Sequence, residues 1–234
     1  MGIKQKQIQL IESTLKEIYE KYKDRGILSI YLWGSILTED FNSKSSDIDS
    51  IAIVDEKSKV KDNEEINNFL RSRFPKIDFK LNYLSLDELN GGKIKSRLAK
   101  VIVPNLLLLD FKNWKLIIGK KYSRKDFKLK EVSFDEAVQL NLNAIKKNHL
   151  PLFKKGDFKV TPYFIKNLMK VCYYLNQKDN GEHMFMYKEL LKKSPLKRKR
   201  VVRILLQIRK NNWDKKSMKD NLPPLLNFIN SISH

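Results

Sequence analysis

Asp47 and Asp49 stand two positions apart at the start of the apolar run "IDSIAIV". Side chains alternate along a strand with period two, so both carboxylates face one side of it. Two carboxylates on one rigid strand suit Mg²⁺, a hard cation that takes oxygen ligands and leaves its other positions to water and substrate phosphates. Asp78 falls on the polar side of the next strand-like run, "IDFKLNYL", and lateral pairing of the two strands would bring a third carboxylate to the same point. Three acids gathered this way serve as ligands for two metal ions, or as a metal pair plus a general base. Upstream, Gly34 and Ser35 close an apolar strand and open a loop or short helix. Glycine lets a phosphate come close to the backbone, where free amides and the Ser35 hydroxyl can cradle it.

These residues need elements to hold them. Ile8, Ile11, Leu15, Ile18 and Tyr22 recur at spacings of three and four, which predicts a helix from about Ile3 to Lys23, stopped at Gly26. "ILSIYLW" reads as a buried strand, and "GSILTEDFNSKSSD" as the loop that leads to the paired aspartates. "KDNEEINNFLRSRF" puts Ile66, Phe69, Leu70 and Phe74 on one helical face and ends at Pro75. "IDFKLNYL" alternates, with Ile77, Phe79 and Leu81 pointing one way and Asp78, Lys80 and Asn82 the other. A short helix from Pro104 and a strand "WKLIIG" follow. The remaining segments read as helices. One is capped by Ser133 with Glu136, one starts at Thr161 as N-cap with Pro162 behind it, one covers "PLKRKRVVRILLQIRKNNW", and the last runs from about Pro224 to Ile232. The expected fold class is α+β: an N-terminal α/β domain with a small mixed sheet over residues 1–125, then an all-helical bundle over 126–234.

The 234 residues carry 47 Lys and Arg against 27 Asp and Glu, a net charge of +20. Positions 1–100 hold only +2 of it, and 101–234 hold +18. A basic field attracts phosphates, but a lysine-rich solvated surface produces the same count. The longest apolar run is interrupted by Pro104 and is far shorter than the roughly 20 residues that span a membrane, so no membrane partner is expected. A lone Cys172 and an N-terminus without a signal-peptide pattern make the cytoplasm the default compartment.

A strand ending in Gly-Ser, a twelve-position step from Ser35 to Asp47, Asp-x-Asp on a second strand and a later strand acid together resemble the nucleotidyltransferase superfamily that shares the DNA polymerase β type of catalytic domain. Within it, the chain looks most like the adenylyltransferases that act on streptomycin and spectinomycin. "NLLLLDFKNWKLIIGKK" and "FIKNLMKVCYYLNQKDNGEHMFMYKELLKKS" look similar to the stretches that follow the catalytic domain in those enzymes. The resemblance implies an ATP or other nucleoside triphosphate donor, Mg²⁺, and attack of an acceptor hydroxyl on the α-phosphorus with loss of pyrophosphate. Asp47 and Asp49 match the metal ligands and Gly34 and Ser35 the phosphate-cradling pair, while Ser46 and Lys44 lie where they could touch the triphosphate. Asp78 stands where those enzymes usually have a glutamate base, one methylene longer. The Ser-Lys element they often carry in the helical domain is not evident near Glu182 to Lys188.

Three functions stay open at this level: transfer to a small-molecule hydroxyl, transfer to RNA or a partner protein, and a nucleotide- or RNA-binding module without catalysis. A +18 segment repels polycationic aminoglycosides and so favours the second. Other chemistry-bearing residues read as structural. Asp87 and Glu88 after Ser85 form a capping box, His149 is a charge partner at a helix end, His183 and His234 are isolated, Cys172 is a core thiol, and the Lys197–Arg200 run is a solvated helix face.

Overall fold

The computed structural model describes residues 3–38, 40–41, 47–60, 64–181 and 187–232. It divides into two compact units, Met1–Glu131 and Val132–His234.

In the first unit, helix α1 (Ile3–Tyr22) precedes strand β1 (Ile27–Trp33), and a single 3-10 turn (Gly34–Leu37) leaves the end of that strand. Strand β2 (Ile48–Val54), helix α2 (Glu64–Arg73) and strand β3 (Phe79–Ser85) follow. Three short helices, α3 (Leu86–Leu89), α4 (Arg97–Val101) and α5 (Pro104–Leu109), then lead to strand β4 (Lys115–Gly119). The sheet order is β3-β2-β1-β4. β1 runs antiparallel to β2 and β4, whereas β2 and β3 are parallel and therefore need a crossover, which α2 supplies.

Alternation along the strands feeds two cores. Ile30, Leu32, Ile48, Ala52, Val54, Phe79, Leu81 and Tyr83 pack with Ile11, Leu15, Ile18 and Tyr22 of α1 and Ile66 and Leu70 of α2. Tyr31, Ile51, Ile53 and Leu84 point the other way, onto Leu89, Leu98, Leu107, Leu108, Phe111 and Trp114. Each such side chain contributes about 1.5–3 kcal/mol by leaving water, so the sheet is anchored on both faces and its strand ends are fixed in space. Asn67 of α2 also accepts a hydrogen bond from the Leu81 amide at 3.3 Å, on the side of β3 away from β2.

The turn from β3 to α4 is organised by one carboxylate. Glu88 is 2% exposed. Its oxygens accept from the Ser85 amide at 2.9 Å, the Ser85 hydroxyl at 3.2 Å, the Lys95 amide at 2.7 Å and the Ser96 amide at 2.6 Å. Burial pushes its carboxyl up, but the hydrogen bonds from Ser85, Ser96 and Lys95 outweigh that and hold it below the usual range. The expected capping box is present, and Glu88 in addition ties down the loop ahead of α4.

The second unit is helical: α6 (Phe134–Ala144), α7 (Leu150–Lys154), α8 (Thr161–Asn180), α9 (Tyr187–Lys193), α10 (Leu196–Lys210) and α11 (Lys215–Ser231). Ser133 and Glu136 form the expected capping box. Phe164, Leu168, Val171 and Cys172 are buried along α8 at helical spacing, and Leu175, which the same spacing assigns to the core, is half-buried. Burial pushes the Cys172 thiol up to about 12, against the pull of nearby Arg198, so it is an inert core thiol.

Four details differ from expectation. The helix after Ser133 gives way to a π turn at Ile145–His149, because Pro151 has no amide proton for the carbonyl four residues back and its ring crowds that carbonyl. His149 there is no charge partner: it is buried, burial lowers its pKa, and Asn167 Nδ2 lies 3.0 Å from its Nε2. Thr161 is the first residue of α8 rather than its cap, its hydroxyl donating to the Phe158 carbonyl at 2.7 Å. The last helix begins nine residues earlier than Pro224, capped by the Asp214 carboxylate accepting from the Ser217 amide at 2.7 Å. It continues through Pro223 and Pro224, whose missing amides would have paired with the carbonyls of Lys219 and Asp220, two residues exposed to water.

The Lys197–Arg200 run is likewise not a uniformly solvated face. Arg198 is 13% exposed, donates to Asn176 Oδ1 and pairs with Asp179 at 2.8 Å, and Asn176 in turn donates to Ser194 Oγ at 2.6 Å.

Candidate functional site

Gly34 turns the chain out of β1 with a φ of +78°, in the left-handed region. Trp33 pairs in register with Asp49 on the antiparallel neighbour, which brings the Gly-Ser turn beside the paired aspartates. The approach is close. A Cβ on Gly34 would lie 3.1 Å from Asp49 Oδ2, so only glycine leaves the carboxylate its position. Ser35 is half-buried within the turn that follows, where its carbonyl accepts from the Thr38 amide and hydroxyl, each at 3.0 Å.

Gly34→Ala tests this packing. It is expected to cost about 1–2 kcal/mol for placing an L side chain in the left-handed region, read as a lowered urea midpoint. In an Asp49→Ala background the cost should shrink, since the crowded oxygen is gone. An equal cost in both backgrounds would show that the carboxylate contact contributes nothing.

Asp47 immediately precedes β2 and Asp49 lies within it. Both are half-buried. Asp49 is on the side of the sheet that carries Ile51 and Ile53, so a polar end adjoins an apolar core on one face of one strand. Asp78 reaches the neighbourhood through its backbone: its carbonyl accepts from the Ile48 amide at 3.0 Å, immediately ahead of β3. Its side chain is exposed and pairs with Lys80 Nζ at 2.9 Å. Among the described residues no group of three or more His, Cys, Asp or Glu lies close enough to hold a metal ion. Asp49, Gly34 and Ser35 are thus brought together beside Asp47, and the side chain of Asp78 is turned to Lys80. Lys44 and Ser46 lie outside the described residues, as do Glu182, His183 and His234.

The residues fit one hard cation better than two. Asp47 and Asp49 supply oxygen donors at the start of β2, and the missing Cβ of Gly34 leaves the backbone turn close beside the Asp49 carboxylate. Lys80 was visible in the sequence only as a polar-face residue of β3. The signal that could have found it is the opposite charge two positions from Asp78 on an alternating strand.

No helix among the described residues is long and apolar enough to cross a membrane. No family model matches the chain, and no curated protein matches it by sequence. Among solved structures there is a match along nearly the whole length. The fold is similar to that of an adenyltransferase. The spectinomycin adenyltransferase AAD(9) from Enterococcus faecialis, crystallised with ATP and spectinomycin, superposes with a TM-score of 0.53 over 94% of this chain and 96% of that one, at 14% identity. Likeness at this identity is a statement of fold: an α+β chain with a small mixed sheet and C-terminal helices, as the sequence pattern had implied.

Proposed function

We propose that the protein is a nucleotidyltransferase that moves a nucleoside monophosphate, AMP from ATP in the leading reading, onto a hydroxyl of a small-molecule acceptor. The observation that carries this is the Asp49 carboxylate packed against a positive-φ Gly34 at the β1 turn, in a chain whose fold is similar to that of an adenyltransferase. Asp47 and Asp49 would hold Mg²⁺. That ion, when bound, supplies neutralisation of the charge that develops on the triphosphate. The protein's own share is positioning. The Gly34–Ser35 turn cradles phosphate oxygens, and Lys44 and Ser46, which precede the pair in sequence, are assigned further contacts to the triphosphate. Asp78 accepts the proton of the attacking hydroxyl or shares a further cation. The acceptor oxygen forms the new bond to the α-phosphorus as pyrophosphate leaves.

A second reading places the acceptor hydroxyl on RNA. The +18 net charge of residues 101–234 favours it, because a basic field draws polyanions and repels polycationic antibiotics. One screen separates the two. The protein is incubated with Mg²⁺, each of four α-labelled nucleoside triphosphates, and either tRNA or a panel of aminoglycosides. Label on a small molecule is the expected result, label on RNA alone establishes the second reading, and nucleotide binding without pyrophosphate release overturns both.

A further inference from the structure

The helical unit holds a hollow of about 370 Å³, lined by Gly156, Asp157, Phe158 and Lys159 from the segment after α7 and by Trp213 and Lys215 from the turn into α11. Part of its wall is aromatic. Phe158 packs on buried Phe153 with ring centroids 5.3 Å apart, Phe153 in turn meets buried Phe164 at 5.2 Å, and Phe158 and Trp213 are themselves half-buried. Trp213 stands there against its own backbone preference. Its amide donates to the Ile208 carbonyl at 3.1 Å, a Schellman close to α10 that accounts for the φ of +51° at Asn212 but not for the +62° at Trp213. A bulky residue in the left-handed region is uncommon, and such strain collects where ligands are held.

The rest of the wall is cationic. Lys215 Nζ and Lys219 Nζ lie 5.5 and 5.7 Å from the centre of the Phe158 ring. The two are four apart on α11, a spacing at which like charges destabilise a helix. Among the described residues neither is in an ion pair, and the acid in the lining, Asp157, accepts from the Lys159 amide at 2.9 Å. Helix stability therefore does not account for the two lysines. We infer that this hollow binds single-stranded nucleic acid: an unstacked base lies against Phe158 and Trp213, while Lys159, Lys215 and Lys219 neutralise flanking phosphates. A bare phosphate has no use for the aromatic wall, and a duplex keeps its bases stacked away from it. The lysines come from two chain segments, which suits phosphates on either side of a base. This inference goes beyond nucleotidyl transfer, since it needs neither Mg²⁺ nor a triphosphate, and either can fail without the other.

The test is fluorescence anisotropy of short fluorescein-labelled adenosine strands, in EDTA and without triphosphate, over a series of NaCl concentrations. RNA and DNA single strands should both bind more tightly than a duplex of the same length, although the duplex carries the denser charge. A duplex that binds as tightly as the strands overturns the stacking and leaves nucleotidyl transfer untouched. For single strands the logarithm of affinity falls by about 0.7 per neutralised phosphate for each tenfold rise in salt, so Lys215→Gln with Lys219→Gln should flatten that slope by about 1.4. Lys16→Gln with Lys100→Gln removes the same charge from exposed positions of the first unit and should leave the slope as it is. An equal change in both pairs, or none in the first, overturns the site. Trp213→Leu should weaken single-strand binding about tenfold, within the range that loss of one base stack produces, with the slope unchanged. Wild-type affinity in that variant overturns the role of the ring. If Trp213→Leu does not fold, the lysine pairs decide alone, because they change exposed side chains and should keep the wild-type urea midpoint.

Discussion

On the nucleotidyl-transfer reading, replacing Asp47 and Asp49 together with Asn is expected to lower Mg²⁺-dependent pyrophosphate release by at least about a hundredfold, the scale on which a single preorganised charge-stabilising group acts, while the urea midpoint stays near that of the wild type. Asn matches Asp in shape, so the exchange removes charge and leaves packing alone. The carboxylates are half-buried at the mouth of β2 and the strand beyond them is anchored by Ile51 and Ile53, which the exchange does not touch. Burial of those side chains, not the acids, holds the strand in place. The measurement is a coupled pyrophosphate assay at several Mg²⁺ concentrations with circular dichroism alongside. Turnover that survives the double exchange would remove these two residues from the chemistry. A variant that unfolds would instead assign them to the fold, and Asp49→Asn alone then separates the roles, because it retains Asp47.

The second large effect lies away from the site. Glu88→Leu leaves the buried amides of Ser85 and Ser96 without their acceptor and gives that of exposed Lys95 over to water. With two buried donors unsatisfied, the loss is on the order of 2–4 kcal/mol, a large share of the stability of any domain. Glu88→Gln keeps the shape and one carbonyl oxygen, and should cost less than half as much. The same residue gives a pH signature. Its carboxyl is held below the usual range, so its contribution is fully present above the ordinary carboxylate value near 4.5 and is lost as pH falls through the lower folded value. Glu88→Gln should flatten that part of the acid limb of a stability profile. An unchanged acid limb would mean that the carboxylate is not charged in the folded protein.

Much of the positioning frame was legible in the residues themselves. Ile11, Leu15, Ile18 and Tyr22 are buried where a 3.6-residue period places them, and Phe79, Leu81 and Tyr83 share one face as a period of two requires. The Gly34–Asp49 approach was not legible: Gly-Ser and Asp-x-Asp each mark a strand end, and only the antiparallel pairing of β1 with β2 sets Trp33 opposite Asp49 and brings the two together. What escaped was governed by contacts remote in sequence or by competing local signals. Pro223 and Pro224 read as a helix start, since proline favours that position, but Asp214 with Ser217 caps the chain earlier and exposed carbonyls absorb the loss. Arg198 read as one of four surface charges, and only the packing of α10 near α8 turns it onto Asn176 and Asp179. The direction taken by the Asp78 side chain depends on Lys80, and alternation alone assigns a face without assigning a partner.

The outer edge of β3 carries a consequence for how the protein behaves in a crowd. In a parallel ladder alternate residues turn their backbone groups away from the neighbour, and on β3 these include Leu81 and Ser85. A bare row of such donors is a template on which another chain can lay down a strand and begin a fibre. Here Asn67 takes the Leu81 amide and Glu88 takes the Ser85 amide, so two donors two rungs apart are spent within the molecule. A strand arriving from a second molecule would have to displace both side chains at once before it could pair in register. The hydrogen bonds that fix α2 and the β3–α4 turn thereby also make this edge resistant to self-association.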